Sequence, residues 1–181
     1  DFNKGARGVL FGWDHQDVSS GRVASAQTLS GTGALRVIAD FLNKHRPAPI
    51  YVSNPTWGNH NQIFAIAGLD VRQYRYFDKQ TKGLDFKGMI EDLRKATPGS
   101  CVLLHTCAHN PTGVDPTLDQ WKEIAKVCRE NQLYPFFDTA YQGFVSGDLD
   151  KDGVGLRYFL NQGFEMVIAQ ATEKLNAGCM A

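Results

Sequence analysis

The feature that most constrains the fold of this chain is an apolar segment near its middle. Residues 101–104 read Cys-Val-Leu-Leu, and we predict a strand over residues 101–106. A strand with one face in water alternates between apolar and polar residues, whereas a strand covered on both faces is apolar throughout. We therefore predict a central strand of a parallel sheet with helices on both faces.

Other strand-like and helix-like segments alternate on either side of this strand. Further strands are predicted at residues 50–53, 71–77, 134–138 and 166–170, with a short β-prone run at 23–29. Apolar residues recur at helical spacing over residues 35–42, 61–67, 86–93, 121–128 and 154–160. Asp85 is a predicted N-cap, and Thr117 with Gln120 is a predicted capping box. This order predicts an α/β fold, a mostly parallel sheet flanked by helices, with ligands beyond the carboxyl ends of the strands.

Bulk composition narrows the classes of protein that this sequence can represent. The 181 residues suffice for one domain, and the formal net charge of zero argues against a nucleic-acid or membrane-surface partner. No apolar run approaches the roughly 20 residues of a membrane-spanning helix. The four cysteines form no CxxC pair, so we expect buried thiols in a reducing compartment rather than disulfides or a zinc site.

A glycine-rich segment, Ser-Gly-Thr-Gly-Ala at residues 30–34, opens the first predicted helix. Glycines allow close approach of the backbone, and the amides at a helix N-terminus favour an anion. Ser30, Gly31 and Thr32 therefore form a candidate phosphate site. Serine and threonine are also ordinary N-caps, so a simple capping role remains an equal alternative.

Polar residues also follow two later strands. Asp138 ends an apolar strand, where a carboxylate is costly to bury unless it meets a cation or a donor. It is either a helix N-cap or the counter-ion of a protonated cofactor, as in the general arrangement of pyridoxal-phosphate enzymes. His105 and His109 lie four residues apart, but at a strand end rather than on a helix, which disfavours a metal site. The segment at 110–113, Asn-Pro-Thr-Gly, could by itself be only a turn.

Taken together, four blocks of sequence resemble aspartate aminotransferases, which belong to the class I pyridoxal 5'-phosphate (PLP)-dependent aminotransferases of fold type I. They are SGTGALR at 30–36, NPTWGNH at 54–60, AHNPTG at 108–113 and FFDTAYQGF at 136–144, in the order found in that family. The resemblance runs from about residue 9 to about residue 170. The second and third blocks disfavour another class of PLP enzyme, such as a lyase or decarboxylase.

The resemblance implies a role for each matching residue. Ser30, Gly31 and Thr32 would hold the cofactor phosphate. Trp57, which could otherwise be a plain core residue, would stack on the pyridine ring and contact substrate.

Four other positions would act on polar atoms of the cofactor. His60 would orient Asp138, and Asp138 would keep the ring nitrogen protonated. Asn110 and Tyr141 would hydrogen-bond the phenolic oxygen O3′, and Asn110 would also bind the substrate α-carboxylate. Asp138 and Tyr141 are thus expected to be catalytic together with a lysine.

That lysine is Lys174, which falls in the register of the family's cofactor-carrying lysine and would be the general acid and base. Its surroundings depart from the family pattern. Ala171 stands where the family has a phosphate-contacting serine, and Glu173 precedes the lysine. The alternative is an ordinary solvated lysine near the chain end.

The resemblance implies transfer of an amino group between L-aspartate and 2-oxoglutarate, in a homodimer, without nucleic-acid or membrane partners. We expect residues 1–181 to be the cofactor-binding large domain truncated at both ends, without the small domain. The substrate-binding arginines of the family have no matching position, so we expect little or no activity from this chain. The alternative is a truncated, non-catalytic variant that binds PLP weakly or associates with full-length subunits. We expect a cytoplasmic location, although mitochondrial and plastid forms share these motifs.

Overall fold

The structure is a computed structural model, and it describes residues 2–172 of the chain. Its helices are α1 (Phe2–Phe11), α2 (Gln16–Ser19), α3 (Ser30–His45), α4 (Asn59–Ile66), α5 (Phe86–Lys95), α6 (Leu118–Glu130), α7 (Leu149–Asp152) and α8 (Val154–Asn161). Its strands are β1 (Ile50–Asn54), β2 (Val71–Arg75), β3 (Phe77–Asp78), β4 (Gly83–Leu84), β5 (Cys101–His105), β6 (Tyr134–Thr139) and β7 (Val167–Gln170).

Five of the strands form one parallel sheet in the order β2-β1-β5-β6-β7. Strands β3 and β4 form a separate antiparallel pair. The predicted α/β fold with a parallel sheet between helices is confirmed. No helix within residues 2–172 is both long enough and apolar enough to cross a membrane.

Strand β5 is buried along its whole length because helices cover both faces of the sheet. Val102 and Leu104 belong to the core cluster shared with α5, α6 and α8. Cys101 and Leu103 point to the opposite face and belong to the cluster shared with α3 and α4. Strand β5 is therefore apolar because both of its faces are buried, as the sequence predicts.

The cysteines within the described residues are buried thiols. Cys101, Cys107 and Cys128 are buried and unpaired, as predicted, and Cys179 lies outside the described residues.

Two of the predicted helix starts are confirmed. The Asp85 side chain accepts a hydrogen bond of 2.9 Å from the Gly88 amide at the start of α5. At the start of α6, Thr117 accepts from the Gln120 amide at 3.3 Å, and the Gln120 side chain accepts from the Thr117 amide at 2.8 Å. These reciprocal bonds satisfy amides that have no partner within the helix.

The predicted strand at residues 23–29 is wrong, because this segment is irregular. Most of its side chains are exposed, and Leu29 is 90% exposed, so burial does not hold an extended chain against the sheet. The predicted strand at 71–77 is also too long. Strand β2 ends at Arg75, and Phe77 already belongs to the separate strand β3. Tyr76, between the two strands, donates a hydrogen bond from its hydroxyl to the Val114 carbonyl oxygen at 2.6 Å.

Helix α1 has no counterpart among the sequence-based predictions. Its carboxyl end is held by a residue far along the chain, since Arg157 donates from Nε to the Leu10 carbonyl oxygen at 3.0 Å and from a terminal nitrogen to that of Val9 at 3.2 Å. A local periodicity cannot indicate such a contact.

The packing of α8 against α6 gives a stability prediction. A methyl group at Gly155 would lie 2.6 Å from Trp121 Cδ2, so Gly155→Ala should lower the free energy of unfolding by about 1–3 kcal/mol. Urea unfolding measures this. Gly5→Ala is the matched control, because a Cβ there meets nothing within 4 Å, and it should be neutral or stabilising by up to about 1 kcal/mol. Equal effects of the two changes would contradict the prediction.

Candidate active site

The direction of the strand order reverses between β1 and β5. From β1 the chain passes to β2 on one side, and then to β5, β6 and β7 on the other. In open α/β sheets, ligands bind at such a point, beyond the carboxyl ends of the strands. A cavity of about 290 Å³ lies there, lined by Ser30, Gly31, Thr32, Leu35, Trp57, His105, Cys107, Asn110, Asp138, Ala140, Tyr141 and Ala171.

The start of α3 forms one wall of this pocket. The N-cap position is Leu29, whose side chain makes no capping bond, and the first turn contains no acidic residue. Ser30 and Thr32 therefore lie within the first turn rather than at the N-cap. The first amides of a helix have no partner within it, which makes this wall suitable for an anion.

Gly31 brings the same helix close to the end of β7. A Cβ at this position would lie 2.9 Å from the Cβ of Ala171, which is closer than real Cβ atoms approach. A glycine is therefore required where the two pocket walls meet.

Asp138 lies inside β6 and not at a helix start, so it is not an N-cap. Its side chain is 14% exposed, and Oδ2 lies 3.0 Å from Nε2 of the fully buried His60. The other ring nitrogen of His60, Nδ1, lies 2.7 Å from the Thr56 hydroxyl. Thr56 thus holds His60, and His60 holds the Asp138 carboxylate, which forms part of the pocket wall.

His105 presents a buried polar atom to this site. Its Nδ1 accepts a hydrogen bond of 3.4 Å from the Asn110 amide, while Nε2 has no hydrogen-bond partner among residues 2–172. Burial lowers the pKa of His105 to about 4, so the ring is neutral near pH 7. Because Nδ1 accepts, the proton is on Nε2, where it can donate to an acceptor.

The same geometry bears on metal binding. His60, His105 and Asp138 each offer an atom within 4.8 Å of the others. A protonated Nε2 on His105 has no lone pair for a cation, so the cluster favours hydrogen bonding. Both ring nitrogens of His109 already face hydroxyl groups, at 2.8 Å from Ser53 and 2.8 Å from Thr112.

The aromatic and amide residues predicted for the site also line the pocket. Trp57 is half-buried, with its ring centroid 5.3 Å from that of His60 in an edge-to-face contact. It packs partly against the core, but unlike a plain core tryptophan it also forms part of the cavity wall. Asn110 and Tyr141 are half-buried on the loops after β5 and β6.

The structure therefore gathers most of the predicted site residues around one cavity. Ser30, Gly31, Thr32, Trp57, Asn110, Asp138 and Tyr141 line it, and His60 lies behind Asp138. Lys174 lies outside the described residues, so its role stays a prediction.

Thr56 was missed as a partner of His60, although its place in the NPTWGNH block could have indicated it. Cys107 lines the cavity without any local sequence signal. Leu35, predicted only as an apolar helix position within the SGTGALR block, lines it as well.

A helix start suited to an anion, an aromatic ring and a held carboxylate form a pocket for a flat ligand with charges of both signs. The family described as "Aminotransferase class I and II" matches residues 6–174. This match covers almost the whole chain, which therefore belongs to that family.

Individual relatives agree with this assignment. The cytoplasmic aspartate aminotransferase of Oryza sativa subsp. japonica is 54% identical over 175 residues, which is 96% of this chain and 43% of that protein. Aspartate aminotransferase 3, chloroplastic, of Arabidopsis thaliana is 51% identical over 96% of this chain and 39% of its own length. This chain thus spans less than half the length of these curated relatives.

A solved structure resembles the fold closely. The aromatic-amino-acid aminotransferase from Burkholderia pseudomallei, covalently bound to pyridoxal phosphate, superposes with a TM-score of 0.90 and 39% identity. That match covers 93% of this chain and 42% of the other.

The buried histidines predict how stability depends on pH. Burial lowers the pKa of His105 to about 4, and burial with the neighbouring His105 and His60 lowers that of His109 to about 2. An unfolded histidine has a pKa of about 6.5, so below that pH the unfolded chain takes up protons that the folded chain does not. Unfolding free energy should fall as the pH drops from 6.5 to 5, with a slope for each histidine of about 0.7 kcal/mol per pH unit at pH 6.5 that approaches about 1.4 kcal/mol per pH unit near pH 5.

Urea unfolding across this pH range measures the slope. His109→Gln should reduce the slope near pH 5 by up to about 1.4 kcal/mol per pH unit, because one buried neutral ring is removed. His45→Asn, at an exposed position on α3, is the matched control and should leave it unchanged. A slope that does not respond to His109→Gln would show that this ring is protonated in the folded chain.

Proposed function

We propose that this chain forms the PLP pocket of an aspartate aminotransferase, which transfers the amino group between L-aspartate and 2-oxoglutarate to give oxaloacetate and L-glutamate. One observation carries the proposal. Residues from separate segments meet in a single cavity where the strand order reverses, and they combine an anion site with a held carboxylate. The names of the similar aspartate aminotransferases support the choice of substrates.

The residues of the pocket fit PLP. The start of α3, with Ser30, Gly31 and Thr32, suits the phosphate, and the face of Trp57 suits the pyridine ring. His105 lines the same cavity, and its buried Nε2 has no hydrogen-bond partner among residues 2–172, so an acceptor atom of a bound ligand would satisfy it. When bound, PLP supplies an electron-withdrawing ring that stabilises negative charge on the substrate Cα.

Asp138 would keep the ring nitrogen of the cofactor protonated. A carboxylate with 14% exposure is costly unless it is paired, and His60 supplies only one of its partners. A cationic ring nitrogen in the pocket would be the second. His60, held by Thr56 at 2.7 Å, prevents the carboxylate from turning away.

Asn110 and Tyr141 would donate hydrogen bonds to the phenolic oxygen of the cofactor. Both side chains line the same cavity as Asp138, which supports this role. Asn110 and Trp57 would also contact the substrate. Lys174 would take the proton from the substrate Cα and return it at the next step, as a general base and then a general acid.

The assembly and location are proposed on the family resemblance. We propose a homodimer that works on small amino acids and 2-oxo acids, in the cytoplasm.

A binding experiment tests the carboxylate. Asp138→Asn keeps the shape of the side chain and removes its charge, so the dissociation constant for PLP should rise about 10- to 100-fold. Equilibrium titration followed by the tryptophan fluorescence of the chain, to which Trp57 in the pocket wall contributes, measures it. Asp40→Asn, an exposed carboxylate on α3, is the matched control and should bind PLP as the unaltered chain does. Equal affinities for all three proteins would reject the role of Asp138.

A single-turnover experiment tests the reaction. The PLP-loaded chain is mixed with L-aspartate, and oxaloacetate is measured per pocket, with Lys174→Ala as the matched variant. Since the substrate-binding arginines of the family have no matching position in this chain, we expect little oxaloacetate. Any that forms should require Lys174, because the substrate Cα proton needs a base. PLP binding without any oxaloacetate would reject transfer by this chain and favour the non-catalytic alternative.

Borohydride reduction of the loaded chain locates the attachment of PLP. We expect the modified residue to be Lys174, and modification elsewhere would contradict that assignment.

A further inference from the structure

His109 occupies a junction between two strands and is not used by the proposed reaction. It is 1% exposed and lies in the loop between β5 and α6. Its Nε2 lies 2.8 Å from the Ser53 hydroxyl in β1, and its Nδ1 lies 2.8 Å from the Thr112 hydroxyl in its own loop. One ring thus links the end of β1 to the loop that follows β5.

The surroundings of His109 fix its position tightly. Tyr76 stacks on the ring with a centroid distance of 3.8 Å and an interplanar angle of 15°. Both carboxylate oxygens of Asp115 accept backbone amides, from Ala108 at 2.7 Å and from His109 at 2.9 Å. Ala108 has a φ of 46°, a left-handed conformation that costs a non-glycine residue about 1–2 kcal/mol and that these bonds offset.

The two linked segments carry the two sides of the cofactor pocket. Ser53 lies just before the segment that holds Trp57 and His60, and His109 directly precedes Asn110. We infer that His109 is a positioning residue, which sets Asn110 against the β1 side of the pocket through its hydrogen bond to Ser53. The function of Asn110 in this inference rests on the proposed PLP site.

A histidine suits this link better than other side chains. The ring places two nitrogens on opposite sides, and both partners are hydroxyl groups that can donate or accept, so either neutral tautomer satisfies both bonds. Burial lowers the pKa of His109 to about 2, which keeps the ring neutral across the physiological range.

Two variants separate the link to Ser53 from the link to Thr112. In His109→Gln, the side-chain amide takes the place of Nε2 and can still reach Ser53. In His109→Asn, the amide takes the place of Nδ1 and can reach only Thr112. Both variants lose the ring, so a purely structural role predicts similar losses in both.

The first readout needs no cofactor. Hydrogen exchange of the Asn110 amide, which donates to His105 Nδ1, is measured at equal global stability set by added urea. We expect exchange to accelerate about tenfold in His109→Asn but by less than about twofold in His109→Gln. Equal acceleration in the two variants would overturn the inference.

The second readout is a double-mutant cycle on PLP affinity. His109→Asn should weaken PLP binding about tenfold when Asn110 is present, and by less than about twofold in the Asn110→Ala background. Additive losses would show that His109 does not act through Asn110, and would overturn the inference even if exchange responds.

The two readouts also distinguish this inference from the proposed function. If the unaltered chain does not bind PLP, the proposed function fails. The exchange experiment then still decides whether His109 positions Asn110.

Discussion

The burial of both faces of the parallel sheet is the constraint on which the rest of the structure depends. Strand β5 is apolar and buried because α3 and α4 cover one face and α5, α6 and α8 cover the other. At its central strands such a sheet has no face that tolerates a charged residue at low cost, whereas the edge strand β2 carries the exposed Arg72 and Arg75. Polar side chains therefore concentrate where the strands end, and the reversal of strand order opens a cavity at that edge.

The sequence predicts this architecture well because buried strands and helices can be recognised from the order of apolar residues along the chain. The five strands of the sheet and the starts of α5 and α6 follow from local pattern. Failures occur where long-range contacts decide. Residues 23–29 have β-prone side chains without the burial that a strand needs, and α1 is held by Arg157, far along the chain.

The residues of the candidate site likewise fall into two groups, those that the sequence indicates and those that only the structure brings together. Asp138 could be found because it ends a predicted apolar strand, and Asn110 and Trp57 because their sequence blocks resemble the family. The hydrogen bond between Ser53 and His109 and the approach of Gly31 to Ala171 join segments that are far apart in the sequence and are positioned by folding. Only the structure relates them, since no spacing along the chain encodes the distance between two loops.

Three histidine rings form a contiguous row at the pocket, which His105 lines, with centroids 5.3 Å apart for His60 and His105 and 4.3 Å apart for His105 and His109. Protonation of neighbouring rings would be unfavourable, and burial lowers the pKa of His105 and His109 so that both stay neutral. The Asp138 carboxylate is therefore met by one histidine rather than by a cluster of cations. Asp138 lies in the cavity wall with Oδ2 against His60, while the start of α3 presents positive amide dipoles to the same space. A ligand that carries a cationic ring nitrogen and an anionic phosphate would satisfy both walls at once, which is the electrostatic basis of the PLP site proposed above.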